Sequence, residues 1–118
     1  MAQPPGRYEE QRAAPRFEVE VSATIDVGEA QHEARITNLS LGGAGLVVMA
    51  ILALPIGTRM GVSFAVPGLD APISVQAEIR WVSNVDQRTM GVQFVTGLRA
   101  RETFALQGWL KRLQSSSG

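Results

Sequence analysis

From Phe17 the chain alternates strictly. Phe17, Val19, Val21, Ala23, Ile25 and Val27 are apolar, and Glu18, Glu20, Ser22, Thr24 and Asp26 between them are polar. A period of two predicts a half-buried β-strand, because successive side chains of an extended backbone point to opposite faces. Gly28, Glu29 and Ala30 turn the chain. Five further strands are expected. They cover residues 31–37 with Ala34 and Ile36 inward, residues 44–49, and residues 59–66 with Met60, Val62, Phe64 and Val66 on one face. The last two are residues 73–82, with Ile73, Val75, Ala77, Ile79 and Trp81 inward, and residues 89–95, with Met90, Val92 and Phe94 on one face. Gly, Pro, Asn and Asp in residues 54–58, 67–72 and 83–88 supply the turns between them. The period then changes. Leu106, Trp109, Leu110 and Leu113 stand at i, i+3, i+4 and i+7, which predicts an amphipathic helix over about 98–113 that includes Phe104 and Ala105.

Six short strands without interleaved helices predict an all-β domain with one C-terminal helix. The strands imply an antiparallel barrel or sandwich, and a six-stranded barrel, closed or nearly closed, is the expected form, because closure leaves no unpaired edge and the helix can cap or plug it. Residues 1–15 are polar and hold Pro4, Pro5 and Pro15, a composition that predicts a flexible arm. The expected organisation is an arm at 1–15, one barrel domain at 16–113 and a frayed tail at 114–118.

Composition narrows the chemistry. At 118 residues and 45% apolar content the chain is one globular domain. It has no cysteine, which excludes disulfides, thiolate metal sites and thiol nucleophiles. His32 is the one histidine; it reads as a surface residue and predicts neither a metal site nor a catalytic triad. The scattered acids nominate no catalytic pair, so no enzyme activity and no cofactor are expected. Eleven basic residues cancel eleven acidic ones. That argues against DNA or RNA as partner, whose affinity comes largely from phosphate neutralisation. A small anionic ligand needs only a few local arginines, and ten of the eleven bases are Arg. The segment "MAQPPGRYEEQR" has no apolar core, and the apolar stretch 41–57 is too short to span a bilayer. The expected protein is soluble and cytoplasmic, without membrane insertion.

Two short motifs carry candidate chemistry. The stretch "NLSLGGAG" from Asn38 sets Asn38 and Ser40 beside glycines. Taken alone it is a turn with Asn38 bonded to local backbone. Ahead of the first strand, Arg12 and Arg16 stand four apart. Pro15 pushes Ala14 towards an extended conformation, so the two arginines are not a helical pair and can reach different parts of one ligand.

In this order the motifs resemble the PilZ-domain family, with Arg12 and Arg16 on an arm, one hairpin, then Asn38, Ser40 and Gly43 in an Asn-x-Ser-x-x-Gly spacing. "LPIGTRMGVSF", "AEIRWV" and "MGVQF" extend the resemblance over about residues 10–113. It implies a six-stranded split-barrel fold and a ligand, cyclic di-GMP. Arg12 and Arg16 are implied to fork onto guanine edges or phosphate. Asn38 and Ser40 are implied to bond guanine or phosphate, and Gly42 and Gly43 to let the ligand approach the backbone. A signalling role through a protein effector follows, and a homodimer is compatible with it. The other reading is a degenerate family member that docks protein and binds no nucleotide.

Three places stay open on sequence. Trp81 is either core, in phase with Ile79, or a wall for stacking a guanine. Arg80 faces either solvent or ligand, while Arg7 and Arg35 read as surface residues. Residues 47–55, "VVMAILALP", are either core or an exposed patch that docks a partner or a second copy. An OB-like single-strand binder lacks its basic groove and aromatic platforms. A lipocalin-like carrier lacks the strands to enclose a cavity.

Overall fold

The structure, a computed structural model, describes residues 16–96 and 98–117. Arg7, Arg12 and the arm expected at 1–15 lie outside the described residues. Six strands and one helix follow in order: β1 (Phe17–Val27), β2 (Ala30–Leu39), β3 (Gly43–Val48), β4 (Arg59–Phe64), β5 (Ile73–Val82), β6 (Thr89–Phe94) and α1 (Ala100–Ser117). The strands close into a barrel in the order β1-β2-β3-β6-β5-β4, and all neighbouring strands are antiparallel. This is the expected six-stranded barrel with a C-terminal helix.

The inward positions of the alternation form one core. Ile25, Ile36, Leu46, Val62, Ile73 and Ile79 are all fully buried inside it. Burying each such side chain contributes about 1.5–3 kcal/mol, and together they fill the barrel. Leu106 and Leu110 bring the apolar face of α1 onto the same core, and the helix packs beside β1. Glu102 Oε1 accepts the Arg99 backbone N–H at 2.9 Å. This carboxylate bond to the residue before the first turn is one half of a capping box, and it explains why the helix starts at Ala100 and not at 98. At the other end α1 runs to Ser117, so residues 114–117 are helical where a frayed tail is expected. No Gly or Pro interrupts the chain between Leu113 and Ser117, and glutamine and serine are tolerated in a helix.

Register shifts occur at three places, between Glu18 and Val21 of β1, in β2 and in β5, and the bulges in β5 and β2 re-aim the side chains that follow. In β5, Ile79 pairs with Val92 but Trp81 pairs with Gly91, leaving Arg80 as the extra residue. The inward placement expected for Trp81 is therefore corrected: the indole is outside the barrel and 46% exposed. In β2, Ile36 pairs with Leu46 and Asn38 with Gly45, leaving Thr37 as the extra residue. Leu39 then turns inward and is fully buried, and the strand continues two residues past its expected end at 37. A bulge sets two residues against one and re-aims the side chains that follow it.

Residues 47–55 divide between both expected roles. Val48 is buried in the core, and Leu52 and Leu54 lean on it half-buried. Met49 and Ile51 are exposed, at 47% and 60%.

The β5–β6 hairpin is closed by Asp86. Its Oδ1 accepts the backbone N–H of Arg88 at 2.9 Å and of Thr89 at 3.0 Å, and its Oδ2 accepts the Thr89 hydroxyl at 3.0 Å. These donors, the Arg88 N–H foremost, hold the Asp86 carboxyl below the usual carboxylate range. The folded pKa lies below the unfolded one. The stabilisation is therefore fully present above the unfolded value of about 4 and is lost as the pH falls through the folded pKa. Urea unfolding of the protein and of Asp86→Asn is expected to differ by a constant amount near neutrality, with the gap closing below about pH 4. A gap that stays constant into strong acid removes this role from Asp86.

Candidate functional site

The outer face of the barrel carries an uninterrupted row across four strands. On β3 and β6, Gly45 pairs with Gly91. Their neighbours Ala44, Leu46, Met90 and Val92 are buried inside, so both glycines face outward. Asn38 of β2 pairs with Gly45, and Trp81 of β5 pairs with Gly91. The two bulges are what turn Asn38 and Trp81 onto this face. A Cβ added to Gly45 would fall 3.0 Å from Asn38 Cγ, and one added to Gly91 would fall 2.7 Å from Trp81 Cδ1 and Cε2. The amide and the indole thus lie down over the two glycines. The result is a low shelf with a hydrogen-bonding amide at one end and an aromatic ring at the other.

Arg16 is brought to the amide end. Its Nη1 donates to Asn38 Oδ1 at 2.6 Å. That bond orients Asn38, with Oδ1 towards the guanidinium and Nδ2 over Gly45. Both side chains are held at the barrel surface with guanidinium and amide N–H groups to offer a ligand.

The loop between β2 and β3 has a different internal logic. Ser40 is only 3% exposed. Its Oγ accepts the backbone N–H groups of Gly42 and Gly43, both at 3.1 Å, and donates to the Gly43 carbonyl at 3.3 Å. Its hydroxyl is committed to shaping the turn. The Gly42 carbonyl accepts the Phe94 N–H at 2.8 Å, tying the loop to β6. The two glycines differ. A Cβ at Gly42 meets nothing within 4 Å, whereas one at Gly43 collides with the Val92 carbonyl oxygen and stands 3.4 Å from Gln93 Cα. Gly42 leaves open backbone in the loop. Gly43 is required by the close approach of β3 to β6.

Beyond Trp81, Arg80 pairs with Glu78 at 3.3 Å, and Glu78 also meets Arg59 at 3.6 Å. Exposed pairs of this kind contribute at most about 1 kcal/mol, so the Arg80 guanidinium is lightly held. The structure therefore places Arg16, Asn38 and Trp81 along one outer row, with Arg80 next to Trp81 in the chain, while Gly42 lies in the β2–β3 loop, which Ser40 and Gly43 hold in shape. Gly45 and Gly91 complete the site, although the Asn-x-Ser-x-x-Gly spacing and the arginine pair include neither. Glycine inside a strand marks a bulge or a close approach, and both positions carried that signal. Among the described residues no group of His, Cys, Asp and Glu is placed to hold a metal ion. No described helix is long and apolar enough to cross a membrane. A guanidinium, an amide and an aromatic face are the parts that hold a planar, acceptor-rich anion.

A family model described as the PilZ domain matches residues 10–112. Two solved structures share the fold. The Bacillus subtilis inhibitor of motility MotI/DgrA aligns with a TM-score of 0.74 at 18% identity, covering 89% of this chain and 52% of that one. This chain thus spans about half the length of the motility inhibitor. The PilZ domain of YcgR from Escherichia coli, solved with c-di-GMP, aligns with a TM-score of 0.67 at 16% identity, covering 91% of this chain and 96% of that one. No curated protein matches the chain.

Proposed function

The chain belongs to the PilZ domain family, and from that premise we propose that it is a receptor for cyclic di-GMP that signals to a protein effector. The observation that carries this reading is the shelf itself, with Arg16 bonded to Asn38 at one end and Trp81 at the other. A guanine laid on the shelf presents O6 and N7 to the Arg16 fork, the pairing arginine uses in the major groove of DNA. Asn38 Nδ2 donates to a base or phosphate acceptor, and the Trp81 indole stacks a base face. Gly42 admits the ligand to the backbone. Ser40 and Gly43 act beneath, by setting the loop. Arg12, four residues before Arg16, supplies a second guanidinium to the phosphodiesters. Binding draws Arg12 and Arg16 together over the shelf, and the altered face is what an effector reads. This requires the ligand to bind the closed state more tightly than the open one. The role is binding and not catalysis.

Isothermal titration of cyclic di-GMP into the protein and into an Arg12→Ala/Arg16→Ala double variant, at one fixed salt concentration, tests the reading. Micromolar or tighter binding that is lost in the double variant supports it and gives the stoichiometry. A folded protein that takes up no nucleotide overturns it in favour of a protein-docking domain.

The aromatic end has its own expected outcome. In a Trp109→Phe background the remaining indole is Trp81, and its fluorescence is expected to change on titration with cyclic di-GMP. Gly91→Ala forces the indole off its seat, and because Trp81 is half exposed the ring can swing out without opening the barrel. Trp81→Ala and Gly91→Ala are each expected to weaken binding roughly tenfold, the scale of one base–aromatic stack. Unchanged affinity in Trp81→Ala removes the indole from the site.

A further inference from the structure

Phe104 is 81% exposed on α1. Arg101, Phe104, Gly108, Lys111 and Arg112 fall at helical spacing on one face. This is the face opposite Leu106 and Leu110, which enter the core. Arg101, Lys111 and Arg112 are all exposed. Arg112 Nη1 lies 3.6 Å from the place of a Cβ on Gly108, so this guanidinium lies back along the helix towards the ring. Glu102 is the one acid of α1, and its carboxylate is engaged at the helix start. One aromatic ring therefore projects from a stripe of cations with no acid among them.

The complementary surface is on the same chain. The β1–β2 hairpin holds Glu18, Glu20, Asp26, Glu29 and Glu33 against the single cation Arg35, which is itself paired with Glu20 at 3.8 Å. A groove of about 450 Å³ crosses β2, β1 and β4 at the level of the cross-strand partners Ala34, Ala23 and Phe64. Thr24, Glu33, Arg35, Met49, Ser63 and Pro72 line it. Short side chains leave the space, Met49 and Pro72 give it apolar surface, and Glu33 and Arg35 bring one charge of each sign, so the excess of acid lies around it on the rest of the hairpin. Met49 is the exposed head of the apolar segment 47–55, and its thioether is a favourable neighbour for an aromatic ring.

We infer that the occupant of this groove is Phe104 of a second copy of the chain, with the basic stripe of α1 facing the acidic hairpin. Both features flank β1, since α1 packs beside that strand and the groove crosses it. A twofold axis can therefore seat each ring in the other copy's groove, and this reciprocal exchange closes as a dimer. A membrane surface fits less well. Stable lipid binding asks for a free apolar helix face or a larger basic cluster, and the apolar face of α1 is spent on the core. The groove crosses β2 at Glu33–Arg35 and continues over β1 and β4, whereas the shelf starts at Asn38 of β2 and runs the other way over β3 and β6 to Trp81 of β5, so the two share no residue and dimer formation does not need the nucleotide.

Sedimentation velocity of the full chain without nucleotide, over a concentration series at low and high salt, tests this. The expected result is a monomer–dimer equilibrium that weakens as salt rises. Phe104→Ser removes the ring and Thr24→Trp fills the groove. Each is expected to weaken dimerisation at least about tenfold, as loss of a central aromatic contact does. An equimolar mixture of the two variants regains dimer, because one intact ring-and-groove contact survives in the mixed pair. Thermal unfolding checks that both variants fold, and Glu33→Lys replaces Thr24→Trp if the latter does not. A protein that stays monomeric to millimolar concentration at low salt overturns the inference. So does a Phe104→Ser variant that dimerises like the parent, or a mixture no better than its parts.

Discussion

Arg16→Ala is expected to weaken cyclic di-GMP binding by roughly 10- to 100-fold, with little change in the unfolding free energy. The stability half of this outcome follows from place: Arg16 is exposed and precedes the first strand. Its one described bond, to Asn38 Oδ1 at 2.6 Å, is at the surface, where water can take over the amide. The affinity half follows from chemistry. Losing hydrogen bonds to a charged group costs about 1.5–3 kcal/mol, and each 1.4 kcal/mol is a factor of ten. Arg16 also holds Asn38 in the rotamer that lays Nδ2 over Gly45, so the alanine variant loses a positioned donor as well as a cation. Arg16→Lys separates the two contributions. Lysine keeps the charge and loses the planar fork, so binding that depends on bidentate contact falls nearly as far as in the alanine variant. Titration of both variants and of Asn38→Ala at one salt concentration reads these differences. An Arg16→Ala protein that binds as the parent does would show that the shelf is not the nucleotide site.

Gly43→Ala is expected to destabilise the fold by about 2–3 kcal/mol, near the upper end for overpacking a close contact. The added Cβ meets the Val92 carbonyl oxygen, and backbone cannot swing aside as a side chain can. Relief requires β3 to move away from β6 along the pairing that joins Gly43 to Gln93 and Ala44 to Val92. For a domain of this size the loss corresponds to a fall in Tm of roughly 10 °C. Gly42→Ala is the control. Its Cβ meets open space, so stability stays within about 0.5 kcal/mol of the parent, and any loss of binding there reports ligand contact alone. A Gly43→Ala protein as stable as the parent would mean that β3 and β6 are not held this close.

The contrast between these neighbours shows how the site relates to the chain that encodes it. Both glycines were expected to clear a path for the ligand. One does face open space, while the other is fixed by a strand that lies far away in sequence. Ser40 behaves similarly: its type and spacing were legible, but burial and three hydrogen bonds within its own turn set it to shaping the loop. Asn38 and Arg16, twenty-two residues apart, were legible as a pair only through the family resemblance, and the fold brings them into contact.

The strand count, the inward residues of β1 and β4 and the apolar face of α1 were legible because burial on one side repeats with the period of the backbone. That information is local. Trp81 and Asn38 escaped it because each follows a bulge, and a bulge exists only relative to the strand on the other side of the ladder. The same holds for Gly45 and Gly91, whose missing side chains acquire meaning only when an amide and an indole are laid over them. By itself the sequence determined a closed six-stranded barrel with a helix on its core. Only the tertiary structure decided which side chains reach the outer face, because register between paired strands is a property of two segments at once.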